Sequence, residues 1–183
     1  MNISASPGSM PDRIFVDSCV LQLLSTYGEY VYDGGPLRSN DRIHTVPDGL
    51  RNLHALRELA LVGQRASLDW VVSEASIREA LLKRDASHSR WVFEMMDYAG
   101  WCLDSYPRTM VTRNSLRGSQ FGYLSAGDRQ LLEDALQLGC GGFLTIDRRL
   151  HRNAVHIRQA AGIRIIIPSE YLSELRPWMM LFY

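Results

Sequence analysis

The apolar positions of the 183-residue chain alternate between short continuous runs and longer stretches with three-to-four spacing. Continuous runs are typical of strands that are buried on both faces of a parallel sheet, and three-to-four spacing is typical of amphipathic helices. Four continuous runs predict strands, at 14–16, 68–72, 142–145 and 163–167. Strands that alternate with helices predict an α/β fold with a central parallel sheet of four to five strands in a three-layer α/β/α arrangement.

Helices are predicted between these strands and after the last one, at 20–24, 48–66, 73–83, 89–106, 128–138 and 169–175. Residues 27–47 contain three glycines and two prolines and predict a loop that is too long to be a simple connection. Residues 1–12 mix Ser, Pro, Gly and Asn and predict a disordered tail without the features of a signal peptide. Residues 13–183 are expected to form a single domain.

Charge and composition narrow the function classes only modestly. The 20 basic residues balance the 20 acidic ones, so the chain has no overall field that would indicate nucleic-acid binding, and any basic face must be local. The three cysteines lack C-x-x-C spacing, which argues against a disulfide framework and a zinc site. No apolar run reaches the roughly 18 residues of a membrane helix. We therefore expect a soluble, cytoplasmic protein.

Four acidic residues stand where predicted strands end or predicted helices begin: Asp17, Glu79, Asp128 and Asp147. In open parallel sheets, ligands bind beyond the carboxyl ends of the strands, so the acids could converge there. Each acid alone also fits a helix cap. Residues 76–79 and 125–128 match the capping box, and Asp17 and Asp147 could cap the helices after their strands. Converging carboxylates disfavour ionisation unless a cation lies between them, so the four together favour a metal site.

Four segments resemble, in order, the motifs of PIN-domain nucleases, and they look most like the toxin ribonucleases of bacterial VapBC toxin–antitoxin pairs. These segments are FVDS at 15–18, VSEASIREAL at 72–81, DRQLLEDALQLG at 128–139 and FLTID at 143–147. The stretch 165–172 also resembles the last strand and helix of that family. The resemblance covers about 13–175 and implies a PIN-like fold with an insertion at about 27–66.

The resemblance implies that Asp17, Glu79, Asp128 and Asp147 are catalytic residues that bind Mg²⁺ or Mn²⁺, and that the reaction is hydrolysis of an RNA phosphodiester. It also implies supporting roles for the Thr145 hydroxyl and for Ser18. Such an ion polarises the phosphate and lowers the pKa of the attacking water. A small antitoxin is the expected protein partner, and a homodimer remains an open alternative.

Three features depart from the family pattern or compete with it. Cys19 stands where the family usually has Asn or Ser, which puts the hydrogen bonding around Asp17 in question. Glu74 lies nearer the second predicted strand than Glu79 does, but the motif match favours Glu79. The separation of Asp128 and Asp147 is one residue longer than is usual in the family.

An arginine-rich segment follows the last acid. Arg148, Arg149 and Arg152 could follow the RNA backbone, because phosphate contacts supply most of the non-specific affinity for nucleic acids; they could equally form a solvated helix face. The function predicted from these patterns is a metal-dependent endoribonuclease, the toxin of a toxin–antitoxin pair. The alternative is a non-catalytic PIN-like module that binds RNA or a protein.

Overall fold

The computed structural model describes residues 10–63, 68–81, 89–106, 116 and 118–181. Within them, four parallel strands form one sheet in the order β2-β1-β3-β4. The strands are β1 (Arg13–Val16), β2 (Asp69–Val71), β3 (Gly142–Leu144) and β4 (Arg164–Ile166). Phe15 of β1 pairs with Val71 on one side and with Phe143 on the other. The four-strand parallel sheet is confirmed, although β2, β3 and β4 are shorter than predicted.

Nine α-helices lie in the described part of the chain. They are α1 (Ser18–Thr26), α2 (Gly28–Tyr32), α3 (Gly49–Gly63), α4 (Glu74–Leu81), α5 (Ser89–Ser105), α6 (Ala126–Gln137), α7 (Arg148–Arg152), α8 (Ala154–Ala161) and α9 (Pro168–Leu175). Short 3₁₀ helices occur at Arg42–Thr45, Ser119–Phe121 and Arg176–Leu181. The predicted helices are present, with ends that differ by a few residues. The predicted extensions at 64–66 and 82–83 lie outside the described residues.

The prediction of an unbroken loop at 27–47 is wrong, because α2 and a 3₁₀ helix lie within it. Both elements are short, of five and four residues. Neither is long enough to show the three-to-four spacing that identifies a helix in the sequence. Few buried side chains hold them in place: Tyr30 and Val31 on α2, and Ile43 on the 3₁₀ helix.

The helices pack on one another in two sets. Helix α4 contacts α1, α5 and α6, whereas α3 contacts α2 and α9. Together with the all-parallel sheet, this packing fits a three-layer α/β/α arrangement. Leu53, Leu56 and Leu59 of α3 are almost completely buried. The segment predicted to be an insertion therefore contributes to the hydrophobic core.

The two central strands meet in a stacked aromatic pair. The rings of Phe15 and Phe143 lie 5.4 Å apart between centroids, and both side chains are fully buried.

Residues 1–9 of the predicted tail lie outside the described residues. Met10 is buried, and the Tyr171 hydroxyl donates to Pro11 O over 2.8 Å. Among the described residues, no helix has both the length and the apolar character needed to cross a bilayer.

Candidate functional site

Asp17 lies at the carboxyl end of β1, immediately before α1, and its side chain is only 6% exposed. It occupies the N-cap position of α1, yet its carboxylate makes no capping hydrogen bond. Instead, Oδ2 accepts from Thr145 Oγ1 over 2.6 Å and from Cys19 Sγ over 2.9 Å, and Oδ1 accepts from Ser18 Oγ over 3.3 Å. The interpretation of Asp17 as a helix cap is therefore wrong.

The charge environment of Asp17 is unfavourable to its ionised form. Burial raises the pKa of its carboxyl, the hydrogen bonds from Cys19 and Thr145 lower it, and the negative charge of Asp128 raises it further. Within the described residues, no basic side chain forms an ion pair with Asp17. A buried carboxylate whose hydrogen-bond donors are all neutral is the kind of group that a cation would stabilise.

The fully buried hydroxyl of Thr145, just beyond β3, joins two of the acids. It donates to Asp17 Oδ2 and accepts from Asp147 N over 3.0 Å. Asp147 is the N-cap of α7, and its Oδ1 accepts from Arg149 N over 2.6 Å. The cap predicted for Asp147 is confirmed. Asp147 therefore caps α7 and is also linked to Asp17 through the Thr145 hydroxyl.

The capping box predicted at 125–128 is also confirmed. Ser125 Oγ accepts from Asp128 N over 3.0 Å, and Asp128 Oδ2 accepts from Ser125 N over 2.8 Å. The Asp128 carboxylate is partly enclosed, with 14% of its side chain exposed. Its negative charge contributes to the raised pKa of Asp17, so the two carboxylates lie close enough to interact.

The capping box predicted at 76–79 is wrong, because α4 begins at Glu74, before the predicted cap. The side chain of Ser73 accepts from Ser76 N over 3.2 Å, and that of Ser76 accepts from Ser73 N over 3.1 Å. Two serines thus close the start of α4. Glu79, in the last turns of the helix, is not needed for capping.

Glu79 instead lies beside the start of α6. A Cβ atom added to Gly127 would be 3.3 Å from Glu79 Oε2, so the carboxylate packs against the residue before Asp128. Glu74 is held on the surface of α4 by an ion pair with Arg78. This arrangement favours Glu79 over Glu74 as a member of the acidic set. The sequence gives no direct signal of the close approach at Gly127.

Cys19 takes part in the hydrogen bonding that the sequence left in question. Its Sγ donates to Asp17 Oδ2, lies 3.3 Å from Thr145 Oγ1 and accepts from Ile146 N over 3.4 Å. Burial, followed by the charge of Asp17, raises the pKa of this thiol well above its ordinary value. The neutral thiol therefore supports Asp17 as a hydrogen-bond donor, a role that a serine could also fill.

All three arginines predicted to contact RNA have partners within the chain. Arg149 Nη2 lies 2.8 Å from Asp128 Oδ2 and 3.3 Å from Asp147 Oδ2. Arg148 Nη2 lies 2.7 Å from Asp48 Oδ2, and Arg152 Nε donates to Arg148 O over 3.3 Å. The Arg149 guanidinium thus neutralises two of the four predicted metal ligands, a role that was not predicted.

The carboxylates match a hard divalent cation in chemistry but not in their present arrangement. Mg²⁺ and Mn²⁺ prefer oxygen ligands, and no basic side chain in the described part of the chain pairs with Asp17. Yet no three His, Cys, Asp or Glu side chains of the described residues form a group that could hold a metal ion. The guanidinium of Arg149 lies where a cation would contact Asp128 and Asp147. Metal binding would require this side chain to leave.

Comparison of the chain with known protein families, with curated proteins and with solved structures finds no match in any of the three. The resemblance to PIN-domain nucleases therefore stays a prediction from the motifs. The structural support for a site comes from the chain's own geometry: acids at the carboxyl ends of β1 and β3, and at helix starts beside them.

Proposed function

We propose that this chain is a metal-dependent endoribonuclease that hydrolyses RNA phosphodiester bonds with Mg²⁺ or Mn²⁺, with a PIN-like site. We further propose that it acts in the cytoplasm as the toxin of a toxin–antitoxin pair, neutralised by a small antitoxin. The burial of Asp17 without an ionic partner among the described residues is the observation that carries the proposal. A buried carboxyl with a raised pKa at the carboxyl end of a parallel sheet is characteristic of functional sites.

In this proposal, Asp17, Glu79, Asp128 and Asp147 supply the carboxylates. Thr145, Ser18 and Cys19 hold Asp17 in one orientation through their hydrogen bonds. When bound, the cation would supply electrostatic stabilisation of the phosphate and activation of water. Arg149, released from its carboxylates, would be free to contact a phosphate, because guanidinium groups match the geometry of phosphate oxygens.

Metal-dependent cleavage is tested by incubating the purified protein with a mixed RNA pool in Mg²⁺, in Mn²⁺ and in chelator. We expect cleavage with either metal, none in chelator, and a loss of at least about 100-fold in Asp17→Asn and Asp147→Asn. Asp97→Asn is the matched control, because Asp97 is exposed on α5. Cleavage that persists in chelator, or that both site variants retain, would contradict the proposal.

Metal binding is tested separately by thermal unfolding. A cation that binds only the folded state raises Tm, and the rise grows with the ratio of the free cation concentration to its Kd. We expect Mn²⁺ to raise the Tm of the wild type and of Asp97→Asn but not that of Asp17→Asn. Equal Tm shifts in all three proteins would place the bound metal elsewhere.

A non-catalytic module that binds RNA or protein is the second candidate, and the position of Arg149 favours it. A guanidinium that neutralises Asp128 and Asp147 could replace the metal permanently. This alternative predicts RNA binding in chelator with no cleavage on addition of Mn²⁺, and no metal-induced change in Tm. The two experiments above therefore separate the candidates.

A further inference from the structure

A cavity of about 200 Å³ opens beside the acidic site, on the side of the sheet edge formed by α3 and α9. It lies between the 3₁₀ helix at Arg42–Thr45, the start of α3, and the segments that follow β3 and β4. Ile146 and Arg148, the neighbours of Asp147 on either side, both line it. A molecule in this cavity would therefore lie next to the proposed cleavage site.

Asn52 places an amide group in this cavity, although the residue is only 7% exposed. Its Oδ1 accepts from Ser169 N, over 3.3 Å, at the start of α9. Because a backbone N–H can only donate, this contact fixes the orientation of the amide and leaves Nδ2 on the other side. In the described residues, Nδ2 has no hydrogen-bond partner. Nδ2 is not closed off from solvent, so it is available to donate to an acceptor on a molecule in the cavity.

The rest of the lining combines apolar walls with one uncommitted charge. Ile43, Ile146 and Ile167 supply apolar surface. Arg148 is paired with Asp48, and His151 Nε2 lies 3.0 Å from Glu170 Oε2, so these two side chains are already engaged. Arg51 makes no ion pair with any described residue. The cavity therefore suits a small, flat, apolar ring with an acceptor for Asn52 and a nearby negative charge for Arg51.

We propose that this cavity binds a nucleobase of the RNA substrate and that Asn52 Nδ2 selects keto bases, guanine or uracil, over amino bases, adenine or cytosine. Guanine and uracil present a carbonyl oxygen at the position where adenine and cytosine present an amino donor. An amino group of adenine or cytosine would face Nδ2 as a second donor, and neither group could accept a hydrogen bond from the other. Arg51 would contact the adjoining phosphate. This inference rests on the proposed ribonuclease function, because it assigns the base beside the cleaved bond.

The decisive variant is Asn52→Asp. Its carboxylate keeps an oxygen for Ser169 N and replaces the amide donor by an acceptor of nearly the same size. The base preference should then reverse, towards adenine and cytosine. Arg51→Gln, at an exposed position, should weaken binding of all four nucleotides without changing the order. Asn40→Asp makes the same chemical change as Asn52→Asp at an exposed turn and is the matched control.

Binding is measured in chelator, where cleavage is not needed, with the four ribonucleoside 5′-monophosphates and with short single-stranded RNAs of one base each. We expect the wild type and Asn40→Asp to bind GMP, UMP and the corresponding RNAs at least about tenfold more tightly than the amino-base probes. Equal affinities for all four bases, or an unchanged preference in Asn52→Asp, would overturn the inference. Binding of the monophosphates without binding of the RNAs would overturn the placement of an RNA base.

A cleavage experiment distinguishes failure of this inference from failure of the proposed function. A randomised RNA pool is cut in Mn²⁺ and the ends of the products are sequenced. Enrichment of guanine or uracil at one fixed position beside the cut, reversed in Asn52→Asp, supports both proposals. Cleavage with no base preference overturns only the role of the cavity. A keto-base preference in chelator without any cleavage overturns only the ribonuclease.

Discussion

Thr145 Oγ1 lies 2.6 Å from Asp17 Oδ2 and donates to it, while the same oxygen accepts from Asp147 N over 3.0 Å. One buried hydroxyl therefore links the Asp17 carboxylate to the main chain of Asp147, and these two acids follow neighbouring strands. Removing the hydroxyl leaves Asp147 N without this acceptor and leaves Asp17 Oδ2 with Cys19 Sγ as its remaining side-chain donor. The relationship makes Thr145 a positioning residue with no direct part in the chemistry.

Thr145→Val, which keeps the shape of the side chain, should lower the free energy of unfolding by about 1–3 kcal/mol. It should also lower RNA cleavage, because Asp17 and Asp147 lose their common partner. Urea unfolding and a cleavage assay measure the two effects. Thr145→Ser keeps the hydroxyl and should retain most of the activity. Full activity in Thr145→Val would show that the hydroxyl does not organise the site.

Asp17→Asn should stabilise the protein in chelator at neutral pH. Burial raises the pKa of Asp17 above its ordinary value of 3.8 in the folded state. Between 3.8 and the raised value, the folded protein binds more protons than the unfolded chain, so stability falls as the pH rises. The ionised carboxylate thus costs stability above the folded-state pKa, and this cost is absent below 3.8.

The measurement is the Tm difference between Asp17→Asn and the wild type as a function of pH. We expect a stabilisation of about 1 kcal/mol, a few degrees in Tm, at neutral pH, declining as the pH falls towards 3.8. Asp97→Asn, on the exposed surface of α5, should show no such trend. A variant that is less stable than the wild type throughout would mean that the hydrogen bonds to the ionised carboxylate outweigh the cost of its burial.

Arg149→Gln should increase the affinity of the site for Mn²⁺, because the guanidinium no longer competes for Asp128 and Asp147. We expect a larger Mn²⁺-induced rise in Tm than in the wild type. Stability without metal should fall by less than about 1 kcal/mol, since the ion pairs are partly exposed. Arg158→Gln, exposed on α8, is the control. An unchanged or reduced metal response in Arg149→Gln would argue that the guanidinium is not a competitor.

Gly127→Ala should separate activity from stability. The added methyl would lie 3.3 Å from Glu79 Oε2, so the carboxylate must shift by a few tenths of an ångström away from Gly127. Alanine favours helix over glycine by roughly 0.8–1.0 kcal/mol, so stability should be kept or increased while RNA cleavage falls. Gly100→Ala on α5, where no atom of another part of the structure lies within 4 Å, should increase stability without affecting cleavage. Equal activity in the two variants would remove Glu79 from the site.

The elements that the sequence predicted well are those that repeat a pattern over many residues. The strand before Asp17 and the amphipathic helix before residue 63 are examples, because continuous burial and three-to-four spacing leave a clear periodic signal. Helix α2 was missed, because it is too short to be periodic. The start of α4 was predicted within one residue, but its cap was not, because Ser73 and Ser76 bond each other's backbone amides although residues 76–79 also match a capping box.

The site was predictable only as far as local position allowed. Placement of Asp17 and Asp147 after strands follows from the hydrophobic pattern, and the capping box of Asp128 follows from its spacing to Ser125. The link through Thr145 and the pairing of Arg149 with Asp128 join residues far apart in sequence. Such contacts depend on strand order and side-chain conformation, for which a single sequence carries no periodic signal.

The stacked pair of Phe15 and Phe143 joins the two central strands of the sheet. This central position limits how an inhibitor could act under the proposed function. The next residues along these central strands are held by ladder bonds, from Asp17 N to Leu144 O and from Thr145 N to Ile166 O. These amides should exchange with deuterium only through global unfolding, because they lie between fully buried strands. Partial melting elsewhere would then leave Asp17 and Thr145 in place. Under the proposed function, an inhibitor would have to cover or fill this edge of the sheet, since it could not loosen the edge without unfolding the two central strands.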